Sequence, residues 1–165
     1  IMIGNKGLPE VEGTMGQAEG DGPCMYLVET EEEFDKLQVK DPTHLAYVTQ
    51  TTLSVDDATR VIKALKRRFP KITGPQKDDI CYATQNRQDA VKMMAPQCDV
   101  VIVVGSRNSS NSNRLRAVAA KRNTDAYMLD RASELNPDWI SGKRRIGFTA
   151  GASAAGVLVK QLLAR

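Results

Sequence analysis

The densest run of side chains able to do chemistry in this sequence is Gly105-Ser106-Arg107-Asn108-Ser109-Ser110-Asn111-Ser112-Asn113-Arg114. It follows the apolar stretch Val100-Val101-Ile102-Val103-Val104 and precedes a helical pattern. Hydroxyls, amides and free backbone N–H groups therefore collect where a helix dipole attracts an anion, and a phosphate or diphosphate is the natural guest. The alternative is a turn whose Ser and Asn residues only cap the helix. Two more hydroxyl-rich segments, Thr49-Gln50-Thr51-Thr52 and Thr149-Ala150-Gly151-Ala152-Ser153, also stand at strand ends, and three such ends can converge on one ligand.

Gly7-Leu8-Pro9-Glu10-Val11-Glu12-Gly13-Thr14 reads as a glycine-bounded loop carrying two carboxylates, either of which can donate a proton if its surroundings favour the acid form. Cys81 lies just ahead of the helix suggested by Gln88 to Met94, a place suited to a soft-metal ligand. Cys24, Cys81 and Cys98 are too far apart for a local metal motif, and a lone cysteine also serves as a small buried hydrophobe. Cys98 reads as core and His44 as surface.

The elements that position these residues follow a repeating grammar. Ile1-Met2-Ile3-Gly4 is a strand end running into a glycine turn, an opening expected of part of a longer chain. Leu45-Ala46-Tyr47-Val48 is a short strand. A helix then starts at the N-cap Ser54, with Asp56 and Asp57 in its first turn, and Val61, Ile62, Leu65 and Phe69 recur on one face until Pro70. Val100 to Val104, a polar loop over Ser106 to Asn113, and a helix face of Leu115, Val118 and Ala119 repeat the pattern. Arg145 to Phe148, with Val157 to Leu163, gives a third unit. Strands alternating with helices predict a parallel α/β sheet. The spacing of the strand-end loops predicts two similar lobes, 1–76 and 77–165, with equivalent loops facing one site.

The 165 residues suffice for a packed core. No apolar stretch approaches the roughly 18 residues of a membrane span, no basic segment precedes an apolar leader, and three cysteines without close spacing fit a reducing cytoplasm. The net charge of +3 conceals an asymmetry: residues 1–35 hold nine carboxylates against Lys6 alone. The remaining basic residues are dispersed and lack interleaved aromatics, which favours a phosphate ester over nucleic acid as the anionic partner.

Together, Pro9 to Gln17, Thr49 to Asp57, Asp79 to Thr84, Gly105 to Arg114 and Thr149 to Ala154 resemble the 4-hydroxy-3-methylbut-2-enyl diphosphate reductases of the non-mevalonate isoprenoid pathway, in order and across the whole chain. The resemblance implies a three-lobed α/β fold around a 4Fe-4S cluster held by three cysteines, of which this chain matches the later two lobes. It also implies ferredoxin or flavodoxin as electron donor, and isopentenyl and dimethylallyl diphosphate as products. On the matching motifs, Cys81 corresponds to one cluster ligand, Glu10 to the proton donor, Thr51 to a substrate-positioning threonine, and Ser109, Ser110, Asn111 and Ser153 to diphosphate-binding residues. The family's first lobe, with two more cysteines and two histidines, has no counterpart here, and Leu8 stands where the family has a histidine. These departures predict that the 165 residues alone hold no intact cluster. They leave a non-catalytic diphosphate- or nucleotide-binding module as the alternative.

Overall fold

The computed structural model describes residues 1–18, 24–75, 79–154 and 156–164. It divides into two compact units, Ile1–Cys81 and Tyr82–Arg165. The lobe boundary expected between residues 76 and 77 falls outside the described residues.

The first unit contains β1 (Met2–Ile3), α1 (Pro9–Gly16), β2 (Leu27–Val28), α2 (Glu31–Lys36), β3 (Val48–Thr49) and α3 (Val55–Arg68). The second contains α4 (Tyr82–Met94), β4 (Val100–Val104), α5 (Ser110–Ala120), β5 (Asp125–Leu129), β6 (Ile146–Ala150) and α6 (Gly156–Leu163). Each unit forms a parallel three-stranded sheet with its first strand in the middle, in the orders β2-β1-β3 and β5-β4-β6. The repeat extends to register. Met2 lies opposite Leu27 and Val48, and Val100 lies opposite Asp125 and Ile146, so in both sheets the partners are 25 and 46 residues further on.

Helix α3 forms because Ser54 accepts the Asp57 N–H, acidic residues occupy its first turn and basic ones its last, and Ala58, Val61, Ala64 and Leu65 share a buried face. That face packs with Ile3, Val28 and Phe34 into the first core. In the second unit all five residues of β4 are buried, one face against Leu115 and Val118 of α5, the other against Leu129 and Leu162. Fully burying such a Val or Ile side chain stabilises by about 1.5–3 kcal/mol.

Three local expectations need correction. The segment Pro9–Gly16, expected as a loop, is helical: Pro9 suits the first helical position, and Glu10 and Glu12 favour the positive end of the dipole. The polar loop after β4 ends at Ser109, whose side chain caps a helix that already includes Ser110 to Asn113. The strand expected at Leu45 to Val48 is centred later, at Val48–Thr49, while Ala46 forms an isolated bridge to Thr73.

Candidate functional site

In the first unit the loops at the carboxyl ends of β1 and β3 are tied together through Gln50. Its backbone N–H donates to the Ile3 carbonyl at 2.8 Å, and its side chain is 2 % exposed. Gln50 Oε1 accepts the Asn5 N–H at 3.0 Å. Gln50 Nε2 donates to Glu10 Oε1 at 2.8 Å and to Thr52 Oγ1 at 2.9 Å, and Thr52 Oγ1 lies 3.4 Å from the same Glu10 oxygen. Gly4 makes room for this arrangement, since a Cβ there would stand 3.0 Å from Val11 and 3.3 Å from Gln50 Cβ. Glu10 itself is exposed, on the first turn of α1.

Cys81 is brought to the same sheet end. Its N–H donates to the Thr51 carbonyl at 3.1 Å, and two residues earlier Asp79 Oδ2 accepts the Thr49 N–H at 2.8 Å. Thr51 and Cys81 are both exposed. Glu10, Thr51 and Cys81, chosen from separate motifs, thus gather around the loops that follow β1 and β3. Leu8 occupies the N-cap of α1 in extended conformation, with no side-chain hydrogen bond to the helix.

In the second unit Ser109 caps α5, accepting the Ser112 N–H at 3.3 Å. Asn113 Nδ2 donates to the carbonyls of Arg107 at 2.7 Å and Ser109 at 3.1 Å, which holds the approach to the helix in place. Asn111 is 6 % exposed, and neither its Nδ2 nor its Oδ1 has a hydrogen-bond partner; the Ser112 hydroxyl is fully buried and also has none. No acidic residue sits in the first turn of α5, so its dipole is uncompensated there. Ser110 is half-buried at the first helical position. Ser153 is exposed in the turn after β6, which leaves its strand with Gly151 N–H bonded to the Val104 carbonyl at 2.9 Å. Ser112 packs against both Gly105 and Gly151, so the Ser109–Asn111 and Gly151–Ser153 loops adjoin at the ends of β4 and β6.

Two donor-bearing segments around the N-terminus of α5, with buried amide and hydroxyl groups left unpaired, can receive a phosphate-type anion. The carboxyl of Glu10 can deliver a proton. Cys81 offers one exposed thiol, but no group of three or more His, Cys, Asp or Glu that could hold a metal ion occurs among the described residues. Cys24 is exposed, and Cys98, expected in the core, is half-buried and packed against the second core. His44 is on the surface, paired with Asp41 at 2.8 Å. No helix among the described residues is long and apolar enough to cross a membrane. Reading the sequence missed Gln50 and Asp79. The signal for Gln50 was a polar side chain immediately after a strand end, inside an otherwise hydroxyl-bearing run.

A family model described as LytB protein matches residues 1–165. The chain is 65 % identical over 165 residues to a 4-hydroxy-3-methylbut-2-enyl diphosphate reductase of Nitrosomonas europaea and 64 % identical to one of Bordetella pertussis. All of this chain is covered, and 51 % and 50 % of those proteins. It also matches the structure of the E-1-hydroxy-2-methyl-but-2-enyl-4-diphosphate reductase from Plasmodium falciparum, with a TM-score of 0.91 and 35 % identity over 99 % of this chain and 50 % of that one. The chain spans about half the length of the curated relatives it matches.

Proposed function

Because the chain belongs to the LytB protein family, whose model it matches along its whole length, we propose that its units carry the proton-donating and diphosphate-binding parts of a reductase acting on 4-hydroxy-3-methylbut-2-enyl diphosphate. In that reaction two electrons and two protons enter. The allylic C–O bond breaks, the hydroxyl leaves as water with one proton, and the other proton forms a C–H bond at either end of the allyl system, giving isopentenyl or dimethylallyl diphosphate. A ferredoxin or flavodoxin is the proposed source of electrons.

The observation that carries the reading is the buried, unpaired amide of Asn111 beside the unpaired Ser112 hydroxyl at the N-terminus of α5. Each unpaired buried polar group costs about 1–3 kcal/mol, and a bound diphosphate offsets that cost with charge-assisted hydrogen bonds. Ser109, Ser110 and Ser153 add hydroxyls around the same anion. Thr51 positions the hydroxyl end of the substrate, and Glu10 holds a proton for it. A 4Fe-4S cluster, when bound, supplies the electrons and Lewis acidity for C–O cleavage. The exposed Cys81 thiol suits one ligand to it, the described residues of this chain do not assemble the rest of the set, and none of the roles given to the other residues depends on it.

Calorimetric titration of the chain with 4-hydroxy-3-methylbut-2-enyl diphosphate tests the reading. Binding is expected, weakened tenfold or more by Asn111→Asp and unchanged by Cys81→Ser; no binding, or equal binding by the Asn111 variant, overturns it. Anaerobic reconstitution of the 165 residues is expected to give no stoichiometric iron and no turnover. A second reading, a diphosphate- or nucleotide-binding module without chemistry, is favoured by Leu8, which leaves the first turn of α1 without the donor that a histidine would provide. It requires that Glu10→Gln change nothing in an assembled, cluster-loaded reductase.

A further inference from the structure

Glu10 projects from the first turn of an exposed helix, where a carboxylate ordinarily rotates freely. Here it is met by a side chain that cannot rotate. Gln50 is 2 % exposed, its backbone is locked to Ile3, and Gly4 is close enough that a Cβ there would crowd Gln50 Cβ at 3.3 Å and Oε1 at 3.4 Å. The two ends of the Gln50 amide are also told apart. The Asn5 backbone N–H can only donate, so the atom 3.0 Å from it must be the carbonyl oxygen Oε1. The NH₂ end must then face Glu10 and Thr52, at 2.8 and 2.9 Å. Since Thr52 Oγ1 accepts from Gln50, its own hydrogen is directed to Glu10 Oε1, 3.4 Å away.

We infer that Gln50 is a positioning residue for Glu10, fixing the carboxyl so that Oε1 always accepts and the acid proton is carried on Oε2. The chain of constraint runs from the Asn5 N–H through an amide that can point only one way to a carboxyl whose two oxygens are no longer equivalent. A proton confined to one oxygen leaves in one direction, which is what a donor serving a fixed substrate carbon or hydroxyl requires. The role of Glu10 as donor rests on the proposed reductase function, whereas the Gln50–Glu10 coupling does not.

The test is a pH titration of the Glu10 side-chain carboxyl carbon by NMR in the 165-residue chain, with the Gln50 side-chain amide followed in parallel. The Gln50 Nε2 protons are expected to titrate together with Glu10, and Glu10→Gln abolishes that response. Gln50→Met, which keeps the shape and removes the donor, is expected to raise the Glu10 midpoint by about half a unit or more, with smaller movement in Thr52→Val. Gln50→Glu keeps an acceptor for Asn5 but places a second carboxyl on Glu10, raising the midpoint further. If the Gln50 amide does not respond in the parent chain, or the midpoint is unchanged in both Gln50→Met and Gln50→Glu, the inference is overturned; the parent-chain response decides even where a variant does not fold. The pH–rate profile of an assembled reductase separates the two readings. A Gln50→Met enzyme whose Glu10 titration moves while its profile does not keeps the positioning role and removes the donor role.

Discussion

The hydroxyl of Ser112 occupies the space in which a side chain on Gly151 would have to stand. Gly151→Ala therefore drives a methyl into Ser112 and is expected to destabilise the second unit by about 1–3 kcal/mol, a drop of several degrees in Tm. Ser112→Ala alone is expected to be neutral to stabilising, because the buried hydroxyl has no partner to lose and its removal relieves the cost of leaving it unpaired. Combined with Gly151→Ala it restores stability, since the new methyl then lies 3.4 Å from Ser112 Cβ. The same partner does not rescue Gly105→Ala, where Ser112 Cβ is only 2.9 Å away. Thermal denaturation of the parent chain and the five variants checks the pattern.

Helix α3 was legible because cap, dipole and buried face all agree in one stretch of sequence, and strand β4 because its five residues form a continuous apolar run, all of it buried. Helix α1 was not, since only Val11 on it is buried and no apolar stripe marks it. Strand β5 is an edge strand buried only at Met128 and Leu129, so Asp125-Ala126-Tyr127 gives no alternating signal. Glu10 and the other candidate residues were chosen by type, but the side chain that meets Glu10 was not. Gln50 is made significant by Asn5 and Glu10, which are 45 and 40 residues away, and no local pattern encodes that meeting.

Leu8 and Ser109 hold corresponding places, each the N-cap of the helix that follows the central strand of its sheet. Ser109 accepts a helix N–H, whereas Leu8 offers no acceptor. Leu8→Ser is expected to stabilise the first unit by about 1 kcal/mol, and Ser109→Ala to destabilise the second by a similar amount, measured by urea unfolding. A Leu8→Ser change without effect on α1 would mean that the half-buried leucine contributes packing equal to the missing cap.

Asp99 fastens the start of β4 to the start of β6, accepting the Arg144 and Arg145 N–H groups at 2.7 and 2.9 Å. Those bonds, that from Arg145 foremost, lower its pKa below the usual carboxylate value, with the charge of Lys143 assisting. A depressed folded-state pKa gives stability that is fully present above the unfolded value near 3.9 and is lost as pH falls through the folded one. Melting curves are therefore expected to be insensitive to this residue's titration above about pH 5 and to fall below about pH 4. Asp99→Asn should lower Tm at neutral pH and flatten the acid limb; an unchanged acid limb would show that other carboxylates control it.

The two sheets differ in how the outer edge of their third strand is closed. In β3 the N–H groups of Val48 and Gln50 face β1, so those of Tyr47 and Thr49 face outward. Tyr47 N–H reaches the Thr73 carbonyl at 2.9 Å, Thr73 N–H returns to Leu45 at 2.9 Å, and Thr49 N–H is taken by Asp79. By register Phe148 and Ala150 correspond to Tyr47 and Thr49, since Gly151 N–H bonds Val104 as Gln50 N–H bonds Ile3. No backbone or side-chain partner on that outer side of β6 occurs among the described residues. Native-state hydrogen exchange is expected to show the Tyr47 amide at least about a hundredfold more protected than that of Phe148. Asp79→Ala should speed exchange at Thr49 while leaving Tyr47 slow. Equal protection at Tyr47 and Phe148 would mean that the edge of β6 is covered in solution.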